Sequence, residues 1–308
     1  MTARTTLRSL MEAGTVLAPC VFDCSSARAV ELAGFDAMLL SGSEVSMSMK
    51  GIPDMGLLSL EELLWAVERI CDMSPIPLAV DIEDGFGGSA LQAYETVRRV
   101  AKAGAMGVLM EDEAEPGYAR DVSLDNVLPR EDYYAKIRAA VKAVEGTDCM
   151  VIARSNLGSA NLEEAIERMR FCVEELGAHA STIVNITNAK DAAVVAERVP
   201  GLKMFADINA KRGLEKMDYA ALREMGYALV TMHYTMKASM AGMLEAGRAN
   251  LAEMGNTYSN EMMPDEYPGH SGMPFFAAQE LLDLEAGFTG SQVRFNDPRT
   301  VHTPGSAE

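Results

Sequence analysis

Short apolar runs rich in Val, Ile, Leu and Met alternate along the chain with longer segments in which apolar residues recur at helical spacing. Such short runs are typical of buried strands, and the helical period is typical of amphipathic helices. The pattern predicts eight strands separated by helices, at residues 15–23, 35–42, 76–84, 106–113, 149–156, 181–187, 202–209 and 227–234. Regular alternation of strand and helix favours an α/β fold with a parallel sheet.

Each predicted strand is apolar through its body and polar at its carboxyl end. The polar residues at these ends are Asp23, Ser41, Asp81 with Glu83, Glu111 with Asp112, Arg154 with Asn156, Asn185, Asp207 with Asn209, and His233. In a closed (β/α)8 barrel all these ends converge on the face that carries the active site. The competing open, doubly wound sheet would concentrate them near one switch point. We therefore predict a TIM-type (β/α)8 barrel over residues 1–255, followed by a C-terminal helical extension and tail over 256–308.

Composition narrows the class of partner. Among 308 residues, 45 are acidic and 27 basic, and the formal charge of -18 disfavours nucleic acids and anionic membranes as partners. The five cysteines show no paired C-x-x-C spacing, so reduced thiols and a cytoplasmic location are expected. We also expect neither a spanning helix nor a secretory signal, because no apolar run is long enough for either. Small-molecule or cation chemistry fits this composition better.

The stretch "IPLAVDIEDGFGG" (76–88) crowds three carboxylates at the end of an apolar run. Side chains two residues apart on a strand share a face, so Asp81 and Glu83 should point together and repel each other unless a cation lies between them. Glu111, at the end of the following predicted strand, would add a third oxygen ligand. We therefore predict a Mg²⁺ site, with Mn²⁺ as a substitute, formed by these three residues. The alternative is that the acids belong to a solvated loop or a helix cap.

Two further features suggest binding of an anionic substrate. Arg154 follows a buried strand, and its guanidinium could bind a substrate carboxylate in a bidentate manner; the alternative is an internal salt bridge to one of the same acids. The segment Ser41, Gly42 and Ser43 offers free backbone N–H groups that could form an anion-binding nest, although Ser-Gly is also found in ordinary turns.

Several segments, in this order, resemble the isocitrate lyase/phosphoenolpyruvate mutase superfamily. They are residues 21–63, "DIEDGFGG" (81–88), "MEDE" (110–113), "KIRAAV" (136–141) and "VIARSN" (151–156), and later segments match by strand pattern only. The resemblance implies a Mg²⁺-dependent barrel enzyme that makes or breaks C–C or P–C bonds in 2-oxo or 2-hydroxy carboxylates. It also implies a homotetramer whose last helices are exchanged between neighbouring subunits.

The resemblance also implies roles for individual residues. Asp81 and Glu111 match metal-site carboxylates, and Glu83 stands where the family usually has Asp, so its longer side chain is expected to act through water. Asp54 matches an acid near the metal, and Arg154 matches the substrate-binding arginine. The Ser-Gly-Ser segment matches the backbone site for the substrate carboxylate.

The departures from the family pattern narrow the reaction. In the loop "EPGYARD" (115–121), Ala119 stands in place of the lyase cysteine and Asp121 in place of the following histidine. A later lyase glutamate appears here as Asn185, and a later Asn-Met-Thr-Glu segment appears as "DINA", beginning at Asp207. We expect Asn185 and Asp207 to contact substrate. Because alanine cannot donate a proton, isocitrate and methylisocitrate lyases are disfavoured.

A branch of the superfamily that lacks the cysteine resembles oxaloacetate decarboxylases. We therefore predict a Mg²⁺-dependent carbon–carbon lyase, or decarboxylase, acting on a small 2-oxo or 2-hydroxy dicarboxylate such as oxaloacetate. Arg154, Asp54, Tyr118 and Asp121 are the predicted catalytic residues, and the final proton could also come from water or from Cys24. A phosphomutase or phosphonopyruvate hydrolase, and a barrel that binds dicarboxylates without turnover, are the alternatives.

The C-terminal region carries one clear pattern. Residues 274–288 show helical spacing with an apolar stripe, which predicts a helix that packs on a neighbouring subunit of a homo-oligomer, expected to be a tetramer. His233 could belong to the site, but we expect it to be a core histidine.

Overall fold

The computed structural model describes residues 5–114, 124–207, 216–262 and 274–290. Eight parallel strands form a closed barrel in chain order, which confirms the predicted fold class. The strands are β1 (Val16–Val21), β2 (Met38–Leu40), β3 (Leu78–Asp81), β4 (Gly107–Glu111), β5 (Met150–Ser155), β6 (Ala180–Ile183), β7 (Leu202–Asp207) and β8 (Leu229–Met232). Each is shorter than its predicted run, because the polar ends continue as loops beyond the last paired residue.

Helix α1 (Leu7–Ala13) precedes the first strand. The helices between successive strands are α2 (Cys24–Leu32), α3 (Gly42–Val45), α4 (Leu60–Met73), α5 (Ala90–Lys102), α6 (Arg130–Ala143), α7 (Leu162–Glu174), α8 (Ala189–Arg198) and α9 (Tyr219–Glu224). The last strand is followed by α10 (Thr235–Glu253), α11 (Thr257–Glu261) and α12 (Ala278–Thr289). A π-helical turn (Ser46–Lys50) extends α3, and 3-10 turns occupy Leu124–Asn126, Gly158–Asn161 and Pro274–Phe276. Helix α4 begins with a capping box between Ser59 and Glu62.

The buried apolar residues form two clusters that follow the alternation of side chains along each strand. An interior cluster fills the barrel and includes Ala79, Leu109 and Ile152, and an outer cluster packs the strands against the helices. The residue two positions after each of these interior residues shares its inward face. Those next inward residues are Asp81, Glu111 and Arg154, at the last or next-to-last position of their strands. The barrel therefore brings the predicted site residues to one mouth.

The chain divides into two compact units, residues 1–237 and 238–308. The first contains the barrel, and the domain boundary predicted at residue 255 stays a prediction. In the second unit, hydrogen bonds join α10 to α11, from Tyr258 Oη to Glu245 Oε1 at 2.7 Å and from Asn250 Nδ2 to the Ser259 hydroxyl at 2.5 Å. Helix α12 covers most of the predicted helical segment 274–288 and ends one residue beyond it. Among the helices that the structure describes, none has the length and apolar character needed to cross a bilayer.

Candidate active site

Arg154 lies at the centre of the barrel mouth, between two carboxylates. Its Nη1 atom is 2.8 Å from Asp81 Oδ2, and its Nη2 atom is 2.7 Å from Glu111 Oε2. The adjacent strands β3, β4 and β5 supply these three residues, and the register pairs Glu111 directly with Arg154. The internal salt bridge that the sequence left open for Arg154 is therefore present. These ion pairs hold the guanidinium that we expected to bind a substrate carboxylate.

Asn156 links the arginine to a further acid. Arg154 Nε donates to Asn156 Oδ1 at 2.9 Å, and Asn156 Nδ2 donates to Glu111 at 3.0 Å and to Glu113 at 3.3 Å. Asn185 supports this arrangement, since its Nδ2 donates to the Asn156 backbone carbonyl at 2.9 Å. The sequence marked Asn156 only as a polar strand end and did not assign it or Glu113 a role, because these contacts depend on neighbouring strands. A direct substrate contact for Asn185 stays a prediction.

The loop after β3 connects the acids to the predicted anion-binding nest. Glu83 has a left-handed backbone, with φ of 52°, and its side chain is buried. A Cβ atom added at Gly42 would lie 2.8 Å from Glu83 Oε1, so any other residue here would require this carboxylate to shift. The Ser41 hydroxyl caps that turn by accepting a hydrogen bond from the Glu44 N–H at 3.4 Å. Gly42 and Ser43 thus begin a helix directly next to the acidic cluster.

The cluster carries more negative than positive charge. Among the residues that the structure describes, five carboxyl groups lie near the guanidinium of Arg154: Asp54, Asp81, Glu83, Glu111 and Glu113. Burial, followed by the charges of Asp81 and Glu111, raises the pKa of Glu83 well above its usual value. Burial also raises the pKa of Glu111 to about 8, although Arg154 opposes the shift. Burial and Asp81 raise the pKa of Asp54. Such an excess of charge is relieved by a proton or a cation.

The donor set has the chemistry that Mg²⁺ requires. The groups are carboxylate oxygens with few soft or nitrogen donors among them, and hard divalent cations prefer oxygen ligands. Within the described ranges, however, no three His, Cys, Asp or Glu side chains already surround one ion position. Arg154 lies between Asp81 and Glu111, so a bound ion would have to share these carboxylates with it. The metal ligands Asp81, Glu83 and Glu111 therefore remain a prediction that the geometry accommodates.

Asp84, the third acid of the crowded stretch, has a separate structural role. Lys136 of α6 is only 2% exposed, and its Nζ atom donates to Asp84 Oδ2 at 2.7 Å and to the Asp84 carbonyl at 3.0 Å. This buried ion pair ties the loop after β3 to the neighbouring helix. The two remaining acids of the stretch, Asp81 and Glu83, are the ones that face Arg154 and Gly42.

The remaining predicted site residues are Asp207, Tyr118, Asp121 and Cys24. Asp207 ends β7 and accepts a hydrogen bond from Tyr219 Oη at 2.5 Å, and its contact with substrate stays a prediction. Tyr118 and Asp121, with Ala119 between them, lie outside the described residues. Cys24 is the first residue of α2, and burial raises the pKa of its thiol.

A second polar cluster lies at the ends of β1 and β8. His233 Nδ1 is 3.1 Å from Glu44 Oε1, and His233 Nε2 is 3.4 Å from Cys20 Sγ. The His233 side chain is 21% exposed, so it is not the fully packed core histidine that we expected. Nothing in the local sequence pattern indicates Glu44 as its partner, because the two residues are 189 positions apart.

The closed barrel, with its acids and central arginine at the carboxyl ends of the strands, defines an enzyme-type (β/α)8 architecture. The chain matches the family model described as phosphoenolpyruvate phosphomutase over residues 7–251, and it belongs to that family. This confirms the superfamily that the motifs resemble. Relatives of the chain are named as lyases and decarboxylases, and the chain is an enzyme of this superfamily.

Three comparisons illustrate the similarity. The petal death protein of Dianthus caryophyllus is 33% identical over 82% of this chain and 80% of its own length. The oxaloacetate decarboxylase of Pseudomonas putida is 31% identical over 64% of this chain and 67% of its own. A solved phosphonopyruvate hydrolase, in complex with oxalate and Mg²⁺, shares the fold with a TM-score of 0.80 and 22% identity, over 94% of this chain and all of the other.

The buried pair of Lys136 and Asp84 generates a stability prediction. Lys136→Met keeps the aliphatic length but leaves the Asp84 carboxylate buried without its partner, so the free energy of unfolding should fall by about 3 kcal/mol. The matched control is Lys142→Met on the same helix, because the ion pair of Lys142 with Glu145 is exposed and should contribute little. Urea titrations of both variants and the wild type measure the difference. Equal stability of Lys136→Met and the wild type would contradict a structural role for the pair.

Proposed function

We propose that the protein is a Mg²⁺-dependent decarboxylase, a carbon–carbon lyase that acts on a small 2-oxo dicarboxylate such as oxaloacetate. The observation that carries the proposal is the group of five carboxyls around Arg154, beside the Gly42 turn, at the mouth of the barrel. The Pseudomonas putida relative named oxaloacetate decarboxylase supports the substrate class. The oxalate and Mg²⁺ in the phosphonopyruvate hydrolase structure support the kind of ligand and ion.

Asp81 and Glu111 would hold the ion directly, and Glu83 would do so through water. When bound, the ion would draw electron density from the substrate's 2-oxo and carboxylate oxygens. Mn²⁺ is expected to substitute for Mg²⁺, since both accept oxygen ligands. The excess of carboxyls over the guanidinium of Arg154 supports this donor set, because a divalent cation would reduce the repulsion that adds to burial in raising the pKa of Glu83 and Glu111.

The residues of the chain bind and orient the substrate in this proposal. The free N–H groups of Gly42 and Ser43, in the first turn of α3, hold one substrate carboxylate, as anions are held at helix N-termini. Arg154 donates from its guanidinium to the 2-oxo oxygen and stabilises the negative charge that develops there as the C3–C4 bond breaks. Asn156 Oδ1 accepts a hydrogen bond from Arg154 Nε and so helps to orient the guanidinium. CO₂ leaves, and C3 then requires a proton.

A phosphorus–carbon reaction would use the same acidic mouth, so the choice of reaction is open to a direct test. We expect the protein with Mg²⁺ to release CO₂ from oxaloacetate, and a chelator to abolish this activity. Phosphonopyruvate and methylisocitrate should be turned over poorly, the latter because Ala119 cannot donate the proton that C–C cleavage of a 2-hydroxy acid needs. Arg154→Lys should lower kcat/KM by about 10²–10³-fold, whereas the exposed Arg170→Lys on α7 should not.

Coupled assays of CO₂, phosphate, phosphoenolpyruvate and succinate formation distinguish the outcomes. Faster turnover of phosphonopyruvate than of oxaloacetate would favour a hydrolase or mutase. Efficient methylisocitrate cleavage would show that another residue, such as Asp121, replaces the lyase cysteine. Stabilisation by oxaloacetate without any product would identify a barrel that only binds dicarboxylates.

We also propose that the protein assembles as a homo-oligomer, expected to be a tetramer, through α12. Leu281, Leu284 and Phe288 are 67%, 55% and 75% exposed and recur on one side of this helix. Exposed apolar stripes of this kind mark interfaces between chains. Light scattering should report a tetramer for the wild type and for Glu285→Gln, and smaller species for Leu284→Glu with Phe288→Glu. A monomeric wild-type protein would rule out the assembly.

A further inference from the structure

Asp112 directly follows β4 and lies on the side of the strand that faces the helices. Successive side chains of a strand point to opposite sides, so Asp112 points away from the mouth into which Glu111 projects. Its exposure is 0%, which leaves no surface for contact with a substrate. A carboxylate in such a place is stable only where several hydrogen-bond donors replace its lost hydration.

Three donors meet the Asp112 carboxylate. Its Oδ2 atom accepts a hydrogen bond from the Ser155 hydroxyl at 2.8 Å and lies 3.4 Å from Arg168 Nη1. Its Oδ1 atom accepts a hydrogen bond from the Asn156 backbone N–H at 2.9 Å. Ser155 and Arg168 are themselves buried. The carboxylate is therefore held in one orientation, with one oxygen directed at Asn156.

Asn156 depends on this contact because it lies one residue beyond the end of β5, where the sheet no longer pairs its backbone. Asp112 accepts from its N–H, and Asn185 Nδ2 donates to its carbonyl at 2.9 Å. A Cβ atom added at Gly158 would lie 2.5 Å from both the Cβ and the carbonyl oxygen of Asn185, so the loop after β5 packs closely on Asn185. Side chains of the loops after β4 and β6 thus hold both backbone groups of Asn156.

The held backbone determines where the Asn156 side chain can reach. Its Oδ1 atom accepts from Arg154 Nε at 2.9 Å, and its Nδ2 atom donates to Glu111 at 3.0 Å and to Glu113 at 3.3 Å. Stabilisation of a charge that develops during a reaction depends on donors fixed in advance. Two successive hydrogen bonds, through Asn156, therefore connect the buried Asp112 to the arginine at the mouth.

We propose that Asp112 is a positioning residue for the decarboxylation, which acts through Asn156 to orient Arg154 toward the 2-oxo oxygen of the substrate. The inference rests on the role proposed above for Arg154. Because Asp112 lies behind the mouth and Arg154 acts on charge that develops in the transition state, loss of Asp112 should lower kcat and change KM little.

A double-mutant cycle distinguishes this role from a general structural one. In Asp112→Asn the amide has a single oxygen, for which Arg168 and Ser155 compete, so its NH₂ group should face the Asn156 N–H and break that contact. With oxaloacetate and Mg²⁺, kcat should fall about 10–100-fold. Asn156→Ala should also be slow, and the double variant should be no slower than the slower single variant. Losses that multiply, or an unchanged kcat in Asp112→Asn, would overturn the inference.

Glu164→Gln is the matched control. Glu164 Oε1 accepts from Arg168 Nε at 2.8 Å, so this variant weakens the same buried network without altering the acceptor of the Asn156 N–H, and kcat should match the wild type. If Asp112→Asn does not fold, Ser155→Ala replaces it, because it removes a donor that orients the carboxylate. Its kcat should fall about 2–10-fold, with no further loss when combined with Asn156→Ala.

Crystal structures of the variants test the geometry whatever the substrate is. In Asp112→Asn the distance from Asn156 Oδ1 to Arg154 Nε should exceed about 3.5 Å, beyond the range of a hydrogen bond, whereas in Glu164→Gln it should stay at 2.9 Å. A retained contact in Asp112→Asn would overturn the inference. A wild-type protein that releases no CO₂ would instead refute the proposed function, and these structures would still decide whether Asp112 positions Asn156.

Discussion

The position of one largely buried guanidinium organises the candidate site. Arg154 is held by Asp81 and Glu111 at 2.8 and 2.7 Å, and by Asn156 through its Nε atom. A buried arginine is stable only where acids compensate for its lost hydration, and the barrel provides these acids from the two preceding strands. Burial opposes the charge of Arg154, but Glu111 and Asp81 more than offset it, so the pKa of Arg154 is raised. The arginine is therefore a permanent cation at the mouth.

The second feature of the site is that the carboxyl groups around Arg154 outnumber its guanidinium. One guanidinium cannot compensate five carboxyls, and burial raises the pKa of several of them, Glu83 and Glu111 most clearly. A site with unfavourable charge in its unliganded form is a common feature of catalytic centres, because ligand binding then relieves the repulsion. The surplus lies on the side of β3 and β4, and this side of the mouth is therefore the one suited to a cation.

The sequence predicted the fold well because the fold depends on local periodicity. Eight apolar runs with polar ends were sufficient to place Asp81, Glu111 and Arg154 at one mouth, since a closed barrel leaves few alternatives. The sequence could not predict which acids pair with which cations. Asp84 pairs with Lys136, 52 residues away, and Glu44 pairs with His233, 189 residues away. Such pairs depend on the distance between neighbouring strands and helices, and nothing in the local pattern records it. Tyr118 and Asp121, outside the described residues, stay predictions.

If the acids around Arg154 bind one divalent cation, a titration with Mn²⁺ followed by electron paramagnetic resonance detects it without any assumption about substrate. We expect one Mn²⁺ to bind per chain and to be displaced by Mg²⁺. Asp81→Asn should weaken the affinity by at least about 10-fold, the loss found when even a hydrogen-bond partner of a metal ligand is removed. Asp36→Asn, at an exposed aspartate before β2, should leave the affinity unchanged. No bound Mn²⁺ in the wild type, or equal affinity in Asp81→Asn, would show that these acids do not form a metal site.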